Sequence, residues 1–265
     1  MTDTSYLFDT GSDLGAAQMD HLAAMLDAAT FGMLTPIGIQ SGWRCLDVGA
    51  GGGSVARWLA DQVGPDGEVL AVDLDTAQLH SQPGVDPVAH DINDGLPGHL
   101  AGPYDLIHTR LTLMHLPRRE EILALLADSL APGGWLVVGD VTDRPRRVLS
   151  AVSAEDLAVW ERIQHLSHRV VGPAGGLDVD WAHRIDDRMV AAGLTEIHGI
   201  ETSQTVTGGS PGMLLHLSLN KQAYHLLVAA GATAAQLERY QELCRDPQLR
   251  TWFYQFLCVR GRRPR

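Results

Sequence analysis

Asp47, Gly49, Gly51 and Gly53 stand at alternate positions in "CLDVGAGGGSVARWLA", which runs from Cys45 to Ala60. Glycines this dense let a backbone approach something closely. A dinucleotide, a phosphate or a nucleoside could each use such a turn. The dinucleotide fingerprint requires a glycine where Ser54 stands. The phosphate loop requires a lysine followed by Ser or Thr, and "GGGSVAR" has neither in place. A carboxylate at Asp47 pointing into the turn would repel a pyrophosphate. It suits a ligand that carries an amine or a positive charge.

Further along stand other groups able to do chemistry. Arg110 could clamp an anionic group or pair at the surface, and His115 could act as a base or hold its loop by a hydrogen bond. Asp140 ends an apolar run. His165 and His168 share a helical face at i and i+3. With a carboxylate they could bind a metal, but substrate contact or exposure is the simpler reading. No carboxylate cluster suggests a metal site, and none is assigned. Met213, His216 and Tyr224 lie in a helical stretch and could cover a flat apolar substrate or pack in a core. Of the two histidine groups, His216 with Tyr224 ranks before His165, because it follows the sixth expected strand.

The elements that must position these residues alternate. Strands are expected at 44–50, 68–75, 86–92, 104–111 and 135–141. A helix is expected at 54–64, with Val55, Trp58, Leu59 and Val63 on one face, and another at 118–130. Strand and helix in alternation imply crossover units, and apolar strands imply a parallel sheet covered on both faces. Residues 181–194 read as helix, 195–206 as strand and 251–262 as a last strand. Two helical stretches, about 143–181 and 211–240, interrupt this pattern. We expect a helical cap at 1–40, the main domain at 41–265, and the two interruptions as lids over the substrate.

The chain has 265 residues, 45% of them hydrophobic, which suits one large domain with an appendage. No run of about 18 apolar residues suggests a membrane span, and the polar start lacks the pattern of a signal peptide. Cys45, Cys244 and Cys258 are odd in number and far apart, so no disulfide framework or metal motif is expected and a cytoplasmic location is. A net charge of −12 argues against a nucleic-acid surface. A small-molecule substrate is expected, with no nucleic-acid or membrane partner. The oligomeric state is open, a homodimer included.

Taken in order, the glycine loop, "AVDLD", "HDI" and "LAPGGWLVVGDV" resemble the class I S-adenosylmethionine-dependent methyltransferases over roughly residues 40–141. The resemblance implies an α/β fold: a doubly wound, Rossmann-like sheet of seven mostly parallel strands with the last reversed. It implies S-adenosylmethionine as cofactor, held by Asp47, Gly49, Gly51 and Gly53. Asp73 would take the ribose hydroxyls, with Asp75 as its competitor, and Leu74 would press on the adenine. Asp91 and Ile92 would read the adenine edge. Tyr6 would fold over the methionine end. The place where DNA- and protein-amine enzymes of this fold carry Asn/Asp-Pro-Pro-Tyr reads "HTRLTLMHLP" here. That departure points to a small molecule, as in the methyltransferases of bacterial natural-product pathways. The acceptor could be oxygen, nitrogen or an electron-rich carbon such as that of an indole. His115, Arg110, His216 and Tyr224 are the candidate catalytic residues. Two other readings stay open: a relative that binds S-adenosylmethionine without methylating (a cyclase or a partner subunit), and a nicotinamide-dependent oxidoreductase.

Overall fold

The computed structural model describes residues 13–79, 84–142, 144 and 147–265. In chain order the elements are α1 (Asp13–Leu34), β1 (Arg44–Val48), α2 (Ser54–Val63), β2 (Glu68–Asp73), β3 (Val85–Ala89), β4 (Tyr104–Arg110), α3 (Arg119–Asp128), β5 (Leu130–Val141) and β6 (Val148–Ser150). There follow α4 (Ala154–His165), α5 (Gly172–Ala174), α6 (Ile185–Ala191), β7 (Thr195–Thr202), β8 (Thr205–Thr207), α7 (Pro211–Gln222), α8 (Tyr224–Ala229), α9 (Ala234–Leu243), β9 (Arg250–Trp252) and β10 (Phe256–Arg262). The chain forms two compact units. The larger takes Leu26–Asp143, Val179–Thr202 and Phe256–Arg265; the smaller takes Arg144–Asp178, Ser203–Gln255 and the chain up to Met25.

The larger unit is built on a sheet in the order β3-β2-β1-β4-β5-β10-β7. Strands β1 to β5 are parallel, and β10 runs antiparallel between β5 and β7. This is the doubly wound sheet with a reversed last strand that the sequence leads one to expect. Residues 45–48 of β1 are all buried, as a strand covered on both faces requires. Parallel neighbours need crossovers, and α2 and α3 supply two of them. Helix α2 buries Val55, Ala56, Leu59, Ala60 and Val63. Trp58, beside that face, stacks on Phe31 of α1 with ring centroids 4.8 Å apart.

The smaller unit holds α4, α7, α8, α9 and a three-stranded sheet, β6-β9-β8. Ser153 caps α4 by accepting from the Asp156 amide, and Thr233 and Gln236 form a reciprocal capping box on α9. Arg239 of α9 pairs with Asp156 at 2.7 Å, and Trp160 of α4 stacks on Tyr240 of α9. Past α4 the backbone widens into a π-helical turn over Leu166–Val171.

Two expected strands are each divided in the structure. Residues 251–262 form β9 and β10, parted at 253–255, where the chain leaves the small sheet for the large one. There the Phe253 amide donates to Gln204 O. Residues 195–206 likewise divide into β7 and β8. The third strand is shorter than 86–92, because Ile92 opens a 3-10 turn.

The cysteines are all buried: Cys45 on β1, Cys258 on β10 and Cys244 at the end of α9. Desolvation pushes the thiols of Cys244 and Cys258 up to about 12, and Cys45 higher still. Among the described residues no helix is long and apolar enough to cross a membrane.

Candidate active site

At the carboxyl end of β1 the chain turns through Gly49, Gly51 and Gly53, with φ of 71°, 54° and 71°. The left-handed region favours glycine. A Cβ on Gly49 would also run into the Thr112 side chain, and one on Gly53 into Leu79. At these two positions the close approach is therefore to the chain itself. Gly49 and Ala50 both donate to Val72 O, at 2.8 and 3.1 Å, which ties the start of the loop to β2.

Gly51 is used differently. Its N–H donates to Asp73 Oδ2 at 2.8 Å, and the Asp75 amide approaches Oδ1 at 3.3 Å. Asp73 is thus the acid that faces the glycine loop. Asp75 is exposed and caps its own turn through Ala77 N. Burial raises the Asp73 pKa, the amides of Gly51, Asp75 and Leu74 pull it back down, and the nearby charge of Asp47 adds to the rise. Leu74 beside it is 61% exposed, a large apolar side chain left uncovered at the rim. Asp91 accepts from Asn93 N and Nδ2, at 2.9 and 3.0 Å, and so caps the 3-10 turn Ile92–Asp94, while Ile92 is buried.

Asp47 points inward. It is buried, and its Oδ1 accepts from His108 Nδ1 at 2.7 Å. Arg110, two residues on in β4, is held by the chain. It donates to Asp27 Oδ1 at 2.8 Å, Thr30 Oγ1 at 3.0 Å and Ser54 Oγ at 3.2 Å. Ser54 in turn donates to Asp27 at 3.0 Å. Helix α1, the start of α2 and the end of β4 are joined in one network beside the glycine loop.

The turn after β4 carries a non-glycine residue in the left-handed region, Leu111 at φ 54°. A 3-10 turn, Leu113–His115, follows. Desolvation first, and then Arg119, lower the His115 pKa to about 4, so its imidazole is neutral at pH 7. Facing this turn from β5 is Asp140, which is fully buried. Trp181 Nε1 donates to its Oδ2 at 3.1 Å. Desolvation raises its pKa to about 8, against the pull of Trp181, the Met114 and Leu111 amides and Arg119. It is a carboxylic acid that stays protonated at pH 7.

In the smaller unit His216 is buried with Tyr254, Gln164 and Tyr240. The Tyr254 hydroxyl lies 3.2 Å from both His216 Nδ1 and His168 Nε2. It can donate to only one of them and must accept from the other. Gln164 Nε2 lies 3.4 Å from His216 Nδ1 and bonds the Tyr240 hydroxyl. Of the pair at i and i+3, His168 joins this cluster from the π-helical turn, and His165 is exposed. Met213 is core. Tyr224 is half-buried and packs edge-on against His225, at 5.6 Å. Tyr6 lies outside the described residues. Among the described residues no three His, Cys, Asp or Glu side chains gather as metal ligands.

A model of the methyltransferase domain matches residues 18–197. Among curated proteins, the chain is 35% identical over 109 residues to methyltransferase str2 of Strobilurus tenacellus, covering 41% of this chain and 39% of that one. It is 29% identical over 136 residues to methyltransferase GfsG of Streptomyces halstedii, covering 48% of each. To the ubiquinone biosynthesis O-methyltransferase of Burkholderia multivorans it is 30% identical over 119 residues, 42% of this chain and 50% of that one. The chain thus spans half or less of the length of these curated relatives. Two solved structures share its fold. One is phosphoethanolamine N-methyltransferase 2 of Haemonchus contortus, in complex with phosphomonomethylethanolamine and S-adenosylhomocysteine (TM-score 0.58, 14% identity, 96% of this chain and 58% of that one). The other is the YcgJ protein of Bacillus subtilis (TM-score 0.56, 15% identity, 90% and 99%). With the sheet order, the glycine loop and a model match over more than half its length, the chain belongs to the methyltransferase-domain family, and its likeness to the S-adenosylmethionine-dependent members is borne out.

Proposed function

We propose that this chain transfers a methyl group from S-adenosylmethionine to a small-molecule acceptor in secondary metabolism. The supporting observation is Asp73, a partly desolvated carboxylate anchored by the Gly51 amide beside the uncovered Leu74. That donor–acceptor arrangement fits a ribose diol and an apolar base. When bound, the cofactor supplies a sulfonium methyl. That group would offer an electrophilic carbon to the acceptor's lone pair and a thioether leaving group that would keep the old bonding pair. A proton carried by the acceptor atom would pass to a base, for which His115 is the candidate, or to solvent. The protein's task is to place the acceptor about 3 Å from the methyl, in line with the sulfur–carbon bond, away from water. Of the three acceptor atoms, oxygen has the support of the relative named as an O-methyltransferase.

Within this reading, Asp47 and the glycines serve the amino-acid end of the cofactor, Asp73 and Leu74 its nucleoside, and Asp91 and Ile92 its base. His115 is the candidate base of the larger unit. Its low pKa keeps it neutral at pH 7 and makes it a weak base. Arg110, spent on Asp27, positions α1 rather than the acceptor. His216 and Tyr224, on the stretches expected as lids, are assigned to the acceptor.

Adenosylhomocysteine at a hundred times its Kd should stabilise the native protein by about 2.7 kcal/mol and raise the melting temperature, while NAD should not. A rise with NAD alone would replace this reading by the oxidoreductase one. Asp91→Ala is expected to cost about 1 kcal/mol of stability as a lost cap and to weaken adenosylhomocysteine severalfold. Unchanged affinity in titration calorimetry would leave Asp91 a cap alone.

A further inference from the structure

His108 and Asp47 face each other across the adjacent parallel strands β4 and β1, in register. Each side chain is 2% exposed, and Nδ1 and Oδ1 are 2.7 Å apart. His108 Nε2 is buried and has no hydrogen-bond partner among the described residues. The imidazole therefore makes one polar contact there, and that contact is Asp47. A carboxylate has two oxygens and accepts several hydrogen bonds, and His108 engages Oδ1. Asp47 sits two residues before the first glycine of the loop. An ammonium group is the complement that a carboxylate at this place would take.

We propose that His108 is a positioning residue for the amino-acid end of the cofactor. Its Nδ1–H fixes one carboxylate oxygen of Asp47, and the other is thereby held to receive an ammonium group. This inference rests on the function proposed above. The specificity it assigns is for a ligand that carries an α-ammonium over one that ends at the nucleoside.

Adenosylhomocysteine and adenosine separate the two ends of the ligand in titration calorimetry. In His108→Leu the donor is lost. Affinity for adenosylhomocysteine should fall at least tenfold, and that for adenosine should stay within twofold. His108→Asn carries an amide N–H near the place of Nδ1. It should bring adenosylhomocysteine back to within threefold of wild type, a rescue that a purely steric strut would not give. If the leucine variant does not fold, His108→Gln takes its place, since its amide reaches toward Nε2 and leaves Oδ1 without its donor. Unchanged adenosylhomocysteine affinity in a folded donor-free variant would overturn the proposal. So would an equal loss for both ligands. A wild-type protein that binds adenosine but shows no preference for adenosylhomocysteine would overturn it too, whereas one that binds neither would bring down the proposed function with it.

Discussion

Asp140→Asn should make the protein more stable at neutral pH. The folded chain holds a proton on Asp140 up to about pH 8, and an unfolded chain releases it near the ordinary carboxyl value of 3.8. Between those values the native state binds the extra proton, so stability falls as pH rises through the window and levels off above it. At pH 7 the cost of that proton is at most about 4 kcal/mol, an upper bound that relaxation of the interior reduces. Asparagine removes the titration and still accepts from the Trp181 indole. His115 acts in the opposite sense. Its folded pKa near 4 means that the unfolded chain binds the extra proton below 6.5, so stability is lost as pH falls through that range. In the wild type the two slopes offset each other from about pH 4 to 6.5, and a net loss follows from 6.5 to 8. Denaturant unfolding at pH 5, 7 and 9 tests this. The variant should gain over the wild type as pH rises and keep only the acid-side loss. A variant with the wild-type slope, or one less stable at pH 9, would mean that Asp140 is ionised in the fold and held by its donors.

Asp73→Ala should weaken adenosylhomocysteine roughly a hundredfold or more, because two charge-assisted hydrogen bonds to the ribose hydroxyls are each worth about 1.5–3 kcal/mol. The same change leaves the Gly51 amide without its acceptor. Asp73→Asn separates these effects. It can keep the bond from Gly51 but loses the charge, so it should retain stability and still lose about tenfold in affinity. Calorimetric titration reads both. An alanine variant within twofold of wild type would move the ribose role to Asp75.

The larger sheet was legible because its strands are apolar runs set between helical periods, a local signal. The loop glycines were legible too, but not all of their reasons. Gly49 answers to Thr112 and Gly53 to Leu79, and both neighbours are distant in sequence. For the same reason nothing local marks His108 as the partner of Asp47, 61 residues away, or Asp27 as the partner of Arg110, 83 residues away. Asp27 reads simply as one polar residue of an apolar helix. The run "TWFYQFLCV" has no glycine or proline to mark a break, so the division at 253–255 is invisible in it. Tyr254, which lies in that break, was hidden as a strand residue. Its partners His168 and His216 come from two other helical stretches. The π-helical turn that carries His168 leaves no mark in residue type.

The three buried cysteines have a consequence for reagents. The thiolate is the form that reacts with alkylating agents, and in the folded chain each thiol is kept protonated and out of solvent. Alkylation must then wait for the chain to open around a given cysteine. Cys45 and Cys258 belong to the larger unit and Cys244 to the smaller. Two sulfur atoms thus time the opening of one unit and a third times the other, in a single native chain without an engineered probe.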